Sequence, residues 1–167
     1  AAKGTGMKVI AGTGSNSTDE ALDLTAFAKA AGADAALIVN PYYNKPTQEG
    51  LYRHFKHIAS KVDLPIVLYN IPGRTGITMS NAIVARLAKD FKNIVAMKEA
   101  TGSTDSCAEL CQMGFPVLSG DDSMTLPFMA LGAIGVISVA TNIVPREVRT
   151  MVDFALANDF VSARKVH

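Results

Sequence analysis

Only two cysteines occur in the 167-residue chain. That is too few for a disulfide framework, so nothing points to an oxidising compartment. No block of like charge is present, which excludes an acidic or basic tail. Sixteen Lys+Arg stand against fifteen Asp+Glu, for a net charge of +1. A nucleic-acid binder would show a basic excess or a basic patch, so none is expected. Apolar runs such as Phe128-Met129-Ala130-Leu131 fall far short of the roughly 20 residues a bilayer span needs, so no membrane partner is expected. The N-terminal AAKGTGMKV has no charged region followed by an apolar stretch, and a secretory leader is not expected. These absences predict a cytoplasmic globular protein.

What the chain does have is apolar mass. Hydrophobic residues make up 49% and charged residues 19%, enough to bury a core and to exclude intrinsic disorder. The length suits one domain. Short β-branched runs at 8–11, 35–39, 65–69, 94–97, 115–118 and 135–139 predict six strands. Between them, apolar residues three and four apart predict helices at 18–31, 48–62, 80–90, 105–113, 123–131 and 145–158. Thr18 is the expected N-cap of the first helix, with Asp19 and Glu20 in its first turn. Ser80 and Pro145 fit helix starts. Gly32, Gly114 and Gly132 stand where helix ends favour a left-handed residue.

Strands alternating with helices predict βαβ units on a parallel sheet, covered on both faces because its strands are apolar throughout. Two architectures fit. Length favours an open doubly wound sheet, since a (β/α)₈ barrel typically takes about 250 residues. The strand exits favour the barrel. Nearly every exit is rich in Gly, polar and aromatic residues, and a barrel gathers all its exits at one mouth.

Several exits carry chemistry. Lys98 ends the run Ile94-Val95-Ala96-Met97, and burial there would favour the free amine that acts as a nucleophile. The plainer alternative is a strand-end lysine paired with Glu99. Tyr69 ends another strand and could relay a proton, or could simply be an amphipathic core residue. Tyr42 and Tyr43 are consecutive and cannot face the same way on extended chain. Arg74, in Pro72-Gly73-Arg74-Thr75-Gly76, offers a fork for a carboxylate, or is a surface arginine. Gly12-Thr13-Gly14-Ser15-Asn16-Ser17-Thr18 suggests a phosphate cradle but fails both nucleotide patterns: no Gly-Lys-Ser/Thr follows, and Ser17 replaces a third glycine. The pairs His54/His57 and Cys107/Cys111 lack further metal ligands and read as structural. Asp121-Asp122 could bind a cation, but a capped turn is the simpler reading.

Together these exits resemble the dihydrodipicolinate synthase family. The resemblance rests on residues 9–18, on Pro41-Tyr42-Tyr43-Asn44-Lys45-Pro46, on residues 69–76 and on Lys98-Glu99-Ala100-Thr101-Gly102. Residues 118–122 and 135–139 extend it over essentially the whole chain. It implies a TIM-barrel α/β fold with about six of eight β/α units: residues 1–154 a partial barrel, residues 155–167 the start of a C-terminal helical region. The family's first two units, with a Gly-Thr-Thr-Gly-Glu segment, have no counterpart here. The resemblance implies a Schiff-base aldolase that condenses pyruvate with L-aspartate 4-semialdehyde, with no cofactor and no metal. By position it makes Lys98 the imine-forming lysine, Tyr69 the proton shuttle and Tyr43 a relay lent by a neighbouring subunit. Arg74, Ile137, Gly120 and Thr101 become substrate contacts. Asn16, Glu20 and Tyr42 become a feedback site for L-lysine. The implied assembly is a homotetramer, a dimer of dimers. The rivals are another pyruvate aldolase of the N-acetylneuraminate lyase superfamily, which Arg74 with Tyr42-Tyr43 disfavours, and a non-catalytic scaffold built on the barrel.

Overall fold

The computed structural model describes residue 2 and residues 4–167. Ala1 and Lys3, in the N-terminal stretch read above, lie outside them. The chain divides into two compact units, Ala1–Val95 and Ala96–His167.

The first unit holds three parallel strands, β1 (Ile10–Gly12), β2 (Ala35–Val39) and β3 (Ile66–Asn70), paired β1–β2 and β2–β3. Helix α1 (Thr18–Ala30) buries Ala21, Thr25 and Ala28, spaced four and three apart on one face. Its N-cap is Ser17, whose side chain accepts from the Glu20 N–H. This corrects the expectation of Thr18. Ser17 holds the extended conformation a cap requires, whereas Thr18 is already helical and its hydroxyl bonds His54 Nδ1 at 2.8 Å. Helix α2 (Gln48–Lys61) is capped by Thr47 and buries Leu51, Phe55 and Ile58. The short turn α3 (Pro72–Thr75) precedes α4 (Asn81–Asp90), which buries Ile83, Val84 and Leu87. Ser80 is the α4 N-cap, as expected, but makes no side-chain cap bond.

Strand β4 (Ile94–Glu99) begins at the end of the first unit and runs into the second. It pairs in parallel with β5 (Val117–Ser119), from Met97↔Val117 to Glu99↔Ser119. Around them lie α5 (Thr104–Gln112), α6 (Thr125–Ala130), a 3₁₀ turn (Ala140–Asn142), α7 (Pro145–Leu156) and α8 (Phe160–Val166). Pro145 opens α7, and Gly32, Gly114 and Gly132 all take positive φ after helix ends, as expected. Phe128 of α6 and Leu110 of α5 are fully buried.

The sixth strand expected at 135–139 is reduced to one bridge, Ser119↔Val136. Ser119 N–H donates to Gly135 O and Ile137 N–H to Ser119 O, but the ladder goes no further. The next donors are taken elsewhere: the Asp122 carboxylate accepts the N–H groups of Val139 and Ala140 and turns the chain into the 3₁₀ segment. The described residues therefore hold five strands, not six. The boundary expected at 154/155 falls inside α7, where Ala155 is buried along with Met151. Among the described residues, no helix is long and apolar enough to cross a membrane.

Candidate functional site

In the first unit, the exits of all three strands line a cavity of about 480 Å³. Its lining includes Gly12, Gly14, Tyr42, Tyr69, Arg74 and Thr75. Gly14 is there because nothing larger fits: a Cβ would lie 2.6 Å from the Val39 backbone nitrogen and 2.7 Å from its Cγ1. Strand-to-loop packing thus accounts for the glycine.

Tyr69 is half-buried at the end of β3. Arg74 is exposed on α3, whose left-handed Gly76 closes the turn. The buried Thr75 hydroxyl lies 3.0 Å from the Ile71 carbonyl and 2.9 Å from that of Ile77, fixing this loop from below. A buried amide ladder supports the β2 and β3 exits. Asn40 Nδ2 donates to Asn70 Oδ1 at 3.1 Å, and Asn70 exchanges two further bonds with the Met79 backbone. The motif reading missed this ladder. Its one signal was an asparagine directly after each of two apolar runs.

The two consecutive tyrosines separate, but through a left-handed bend at Tyr43 and not through the extended chain expected. Tyr42 lines the cavity, while Tyr43 is 89% exposed at φ +71°. Among the residues of the expected lysine site, the Ser15 hydroxyl donates to the Glu20 carboxylate, and the Asn16 carbonyl accepts from Asn44 Nδ2 at 2.9 Å. Tyr42 shares its cavity with Tyr69 and Arg74; Asn16 and Glu20 do not line it.

In the second unit, Lys98 is buried near the end of β4, only 9% exposed. Gly120 packs on its stem: a Cβ there would meet Lys98 Cγ and Cε at 3.1 Å and Ala100 Cβ at 2.7 Å. Gly120 N–H also donates to the Glu99 carbonyl at 2.7 Å. The Glu99 side chain is fully buried; its carboxylate accepts the Thr101 N–H at 2.6 Å and the Ser106 hydroxyl at 3.4 Å. A buried carboxylate needs such donors. Ile137 is half-buried and tied to β5 through its N–H bond to Ser119. Lys98, Gly120, Thr101 and Ile137 are thus carried by the exits of β4 and β5 and by the segment that follows them.

The plainer readings also gain geometry. Burial, then the neighbouring His57, hold His54 down to about 4, so it is a neutral core histidine. Burial pushes the Cys107 thiol up to about 12, which removes it as a nucleophile. Burial raises Asp122, but bonds from Ser138, Ala140 and Val139, with the Lys98 charge, outweigh it and leave the carboxyl below its usual range. Asp122 therefore caps a turn, as the simpler reading held. Among the described residues, no group of three or more His, Cys, Asp or Glu is placed to hold a metal ion.

Comparison with known proteins covers the whole chain. The model of the "Dihydrodipicolinate synthetase family" matches residues 1–167. The 4-hydroxy-tetrahydrodipicolinate synthase of Hydrogenobaculum sp. (strain Y04AAS1) is 56% identical over 96% of this chain and 56% of its own length. The crystal structure of dihydrodipicolinate synthase from Aquifex aeolicus superposes with a TM-score of 0.97 at 56% identity, covering 99% of this chain and 57% of that one. Two further structures carry ligands. The Acinetobacter baumannii synthase complexed with pyruvate is 49% identical (TM-score 0.93), covering 96% of this chain and 56% of that one. The Cyanidioschyzon merolae synthase with lysine bound is 44% identical (TM-score 0.92), covering 96% and 55%. The chain spans little more than half the length of the relatives it matches. Its fold is α/β, a part of their barrel. A lysine buried against a glycine at one strand exit, and an arginine with two tyrosines around a cavity at others, agree with that match: the chain belongs to the dihydrodipicolinate synthetase family.

Proposed function

We propose that the protein carrying this chain is a Schiff-base lyase that condenses pyruvate with L-aspartate 4-semialdehyde, in the branch of amino-acid biosynthesis leading through diaminopimelate to lysine. The observation that carries the reading is Lys98, a lysine buried at a strand end with its stem against Gly120, in a chain of this family. The free amine of Lys98 attacks the ketone carbon of pyruvate; water leaves and an imine forms. The protonated imine draws electrons, so a methyl proton can depart and an enamine results. The enamine carbon attacks the aldehyde, and water releases the product and restores the amine. Every proton in this sequence can be carried by a phenol, so no cofactor or metal is required. Tyr69 is the shuttle and Tyr43 the relay delivered to a neighbouring subunit, and the family resemblance implies a homotetramer, a dimer of dimers, as the working assembly.

The Arg74 fork takes the semialdehyde carboxylate. Gly120, Thr101 and Ile137 bound the pyruvate side. Asn16, Glu20 and Tyr42 form the site through which L-lysine exerts feedback, with the lysine-bound relative as support. The reaction is cytoplasmic.

The test is a condensation assay on this chain, alone and joined to the remaining segments of the Aquifex aeolicus relative. The joined chain should consume pyruvate only when aspartate semialdehyde is present; the chain alone should retain a small fraction of that rate. Cleavage of a sugar acid in place of condensation would move the protein to the N-acetylneuraminate lyase branch. Inactivity of the joined chain in both assays would leave the scaffold reading.

A further inference from the structure

Three residues outside glycine take positive φ among the described residues, and two of them, Tyr43 at +71° and Lys45 at +44°, lie in one loop. Asn44 stands between them. Its Nδ2 donates to the Asn16 carbonyl at 2.9 Å, fastening the loop to the segment after β1. Its own N–H turns back to the Tyr42 carbonyl at 2.9 Å, which tightens the bend at Tyr43. On the other side, the Lys45 stem lies over Gly76, with Cε only 3.0 Å from where a Cβ would stand. The loop is thereby held to the exit of β1 by a side-chain amide and to the exit of β3 by a methylene stem. Left-handed residues of this kind persist only where their surroundings over-determine them. Here those surroundings are two contacts, each made by a residue next to or one removed from Tyr43.

We propose that Asn44 and Lys45 are positioning residues whose contacts hold Tyr43 in its displayed, outward conformation. The inference rests on the proposed function only in giving Tyr43 a task. Asn44 acts through its amide N–H and Lys45 through its stem, not its charge.

The chain contains no tryptophan, so Tyr43→Trp supplies a single indole reporter at the displayed position. In that background, Asn44→Ala and Asn44→Asp should each lower the fluorescence anisotropy of the indole, because both lose the donor. Lys45→Ala should lower it as well, while Lys45→Met, which keeps the stem, should not. Far-ultraviolet circular dichroism should be the same in all. Equal anisotropy across the series overturns the proposal; loosening by Lys45→Met equal to that by Lys45→Ala overturns the stem's role. A second readout uses Tyr43 itself in the joined chain. Asn44→Asp should lower kcat by on the order of tenfold to a hundredfold with KM for pyruvate unchanged, as expected when a relay is misplaced. Unchanged kcat in a loosened loop overturns the relay role of Tyr43 and leaves the anchoring standing. If the unmutated joined chain is inactive, the functional reading fails, while the anisotropy series still decides whether Asn44 and Lys45 hold the loop.

Discussion

Tyr43 is 89% exposed on a loop after β2; Lys98 is 9% exposed within β4. The first unit uses short loops, left-handed residues and a buried amide ladder to set Tyr42, Tyr69 and Arg74 about an open cavity and to display Tyr43 outward. Around Lys98, the second unit uses a strand and a close glycine to bury one lysine stem, while the adjacent Glu99 carboxylate is satisfied by Thr101 and Ser106. Under the proposed function, the contrast separates two tasks. Groups that recognise a substrate must be reachable, and loops on a rigid scaffold provide that. The amine proposed as nucleophile must be kept from water and held still, and the end of β4, where Ala96, Met97, Lys98 and Glu99 are all buried, provides that.

Substitutions at Arg74 and Gly120 test whether these tasks are separate. Arg74→Ala removes a bidentate partner, costing on the order of 2–4 kcal/mol of transition-state binding, read as kcat/KM for the semialdehyde. Imine formation with pyruvate should be unchanged. Gly120→Ala should do the reverse. Its Cβ crowds Ala100 and the Lys98 stem, and overpacking of about 1–3 kcal/mol predicts imine formation slowed by about tenfold or more. Equal losses in both steps for either variant would break the comparison.

Buried titratable groups sharpen it next. His54 protonates near 6.5 when unfolded and near 4 when folded. Between those values the unfolded chain binds more protons, so stability falls as pH drops from 6.5 toward 4, by about 3 kcal/mol in all. Urea melts across that range should show the loss, and His54→Leu should flatten the slope. In the second unit, Cys107 is fully buried with its thiol near 12, and Cys111 is half-buried. An aromatic disulfide reagent should therefore modify at most Cys111 in the native protein; prompt reaction of Cys107 would contradict its enclosure. The smallest effect is at the caps. Ser17→Ala should cost about 1 kcal/mol, because the Ser17 side chain caps α1, whereas Ser80→Ala should cost little, because the Ser80 side chain makes no cap bond.

Much of this was legible in the residues. Apolar runs predicted five strands to within about two residues at each end, and β3, β4 and β5 are largely buried, as apolar parallel strands should be; β1 departs from the expected covered sheet, with Ile10 43% exposed. The sixth was lost because its pattern says nothing of Asp122, 17 residues before Val139, which takes the N–H groups a strand would have used. Thr18 was read as a cap because Ser and Thr are both good caps; only the bond to His54, 36 residues away, assigns its hydroxyl elsewhere. Lys98, Tyr69 and Arg74 were legible as residue types at strand exits. The supports were not. Asn70 with Met79, Asn44 with Asn16 and Lys45 with Gly76 are pairings across loops, and no local spacing encodes them.

The central claim is that Lys98 is the nucleophile, and reductive trapping tests it most directly. The joined chain, treated with pyruvate and sodium borohydride and then digested, should carry one reduced pyruvyl group, located by peptide mass spectrometry on Lys98 and absent in Lys98→Ala. A label on any other lysine, or none on an otherwise folded protein, would contradict the account.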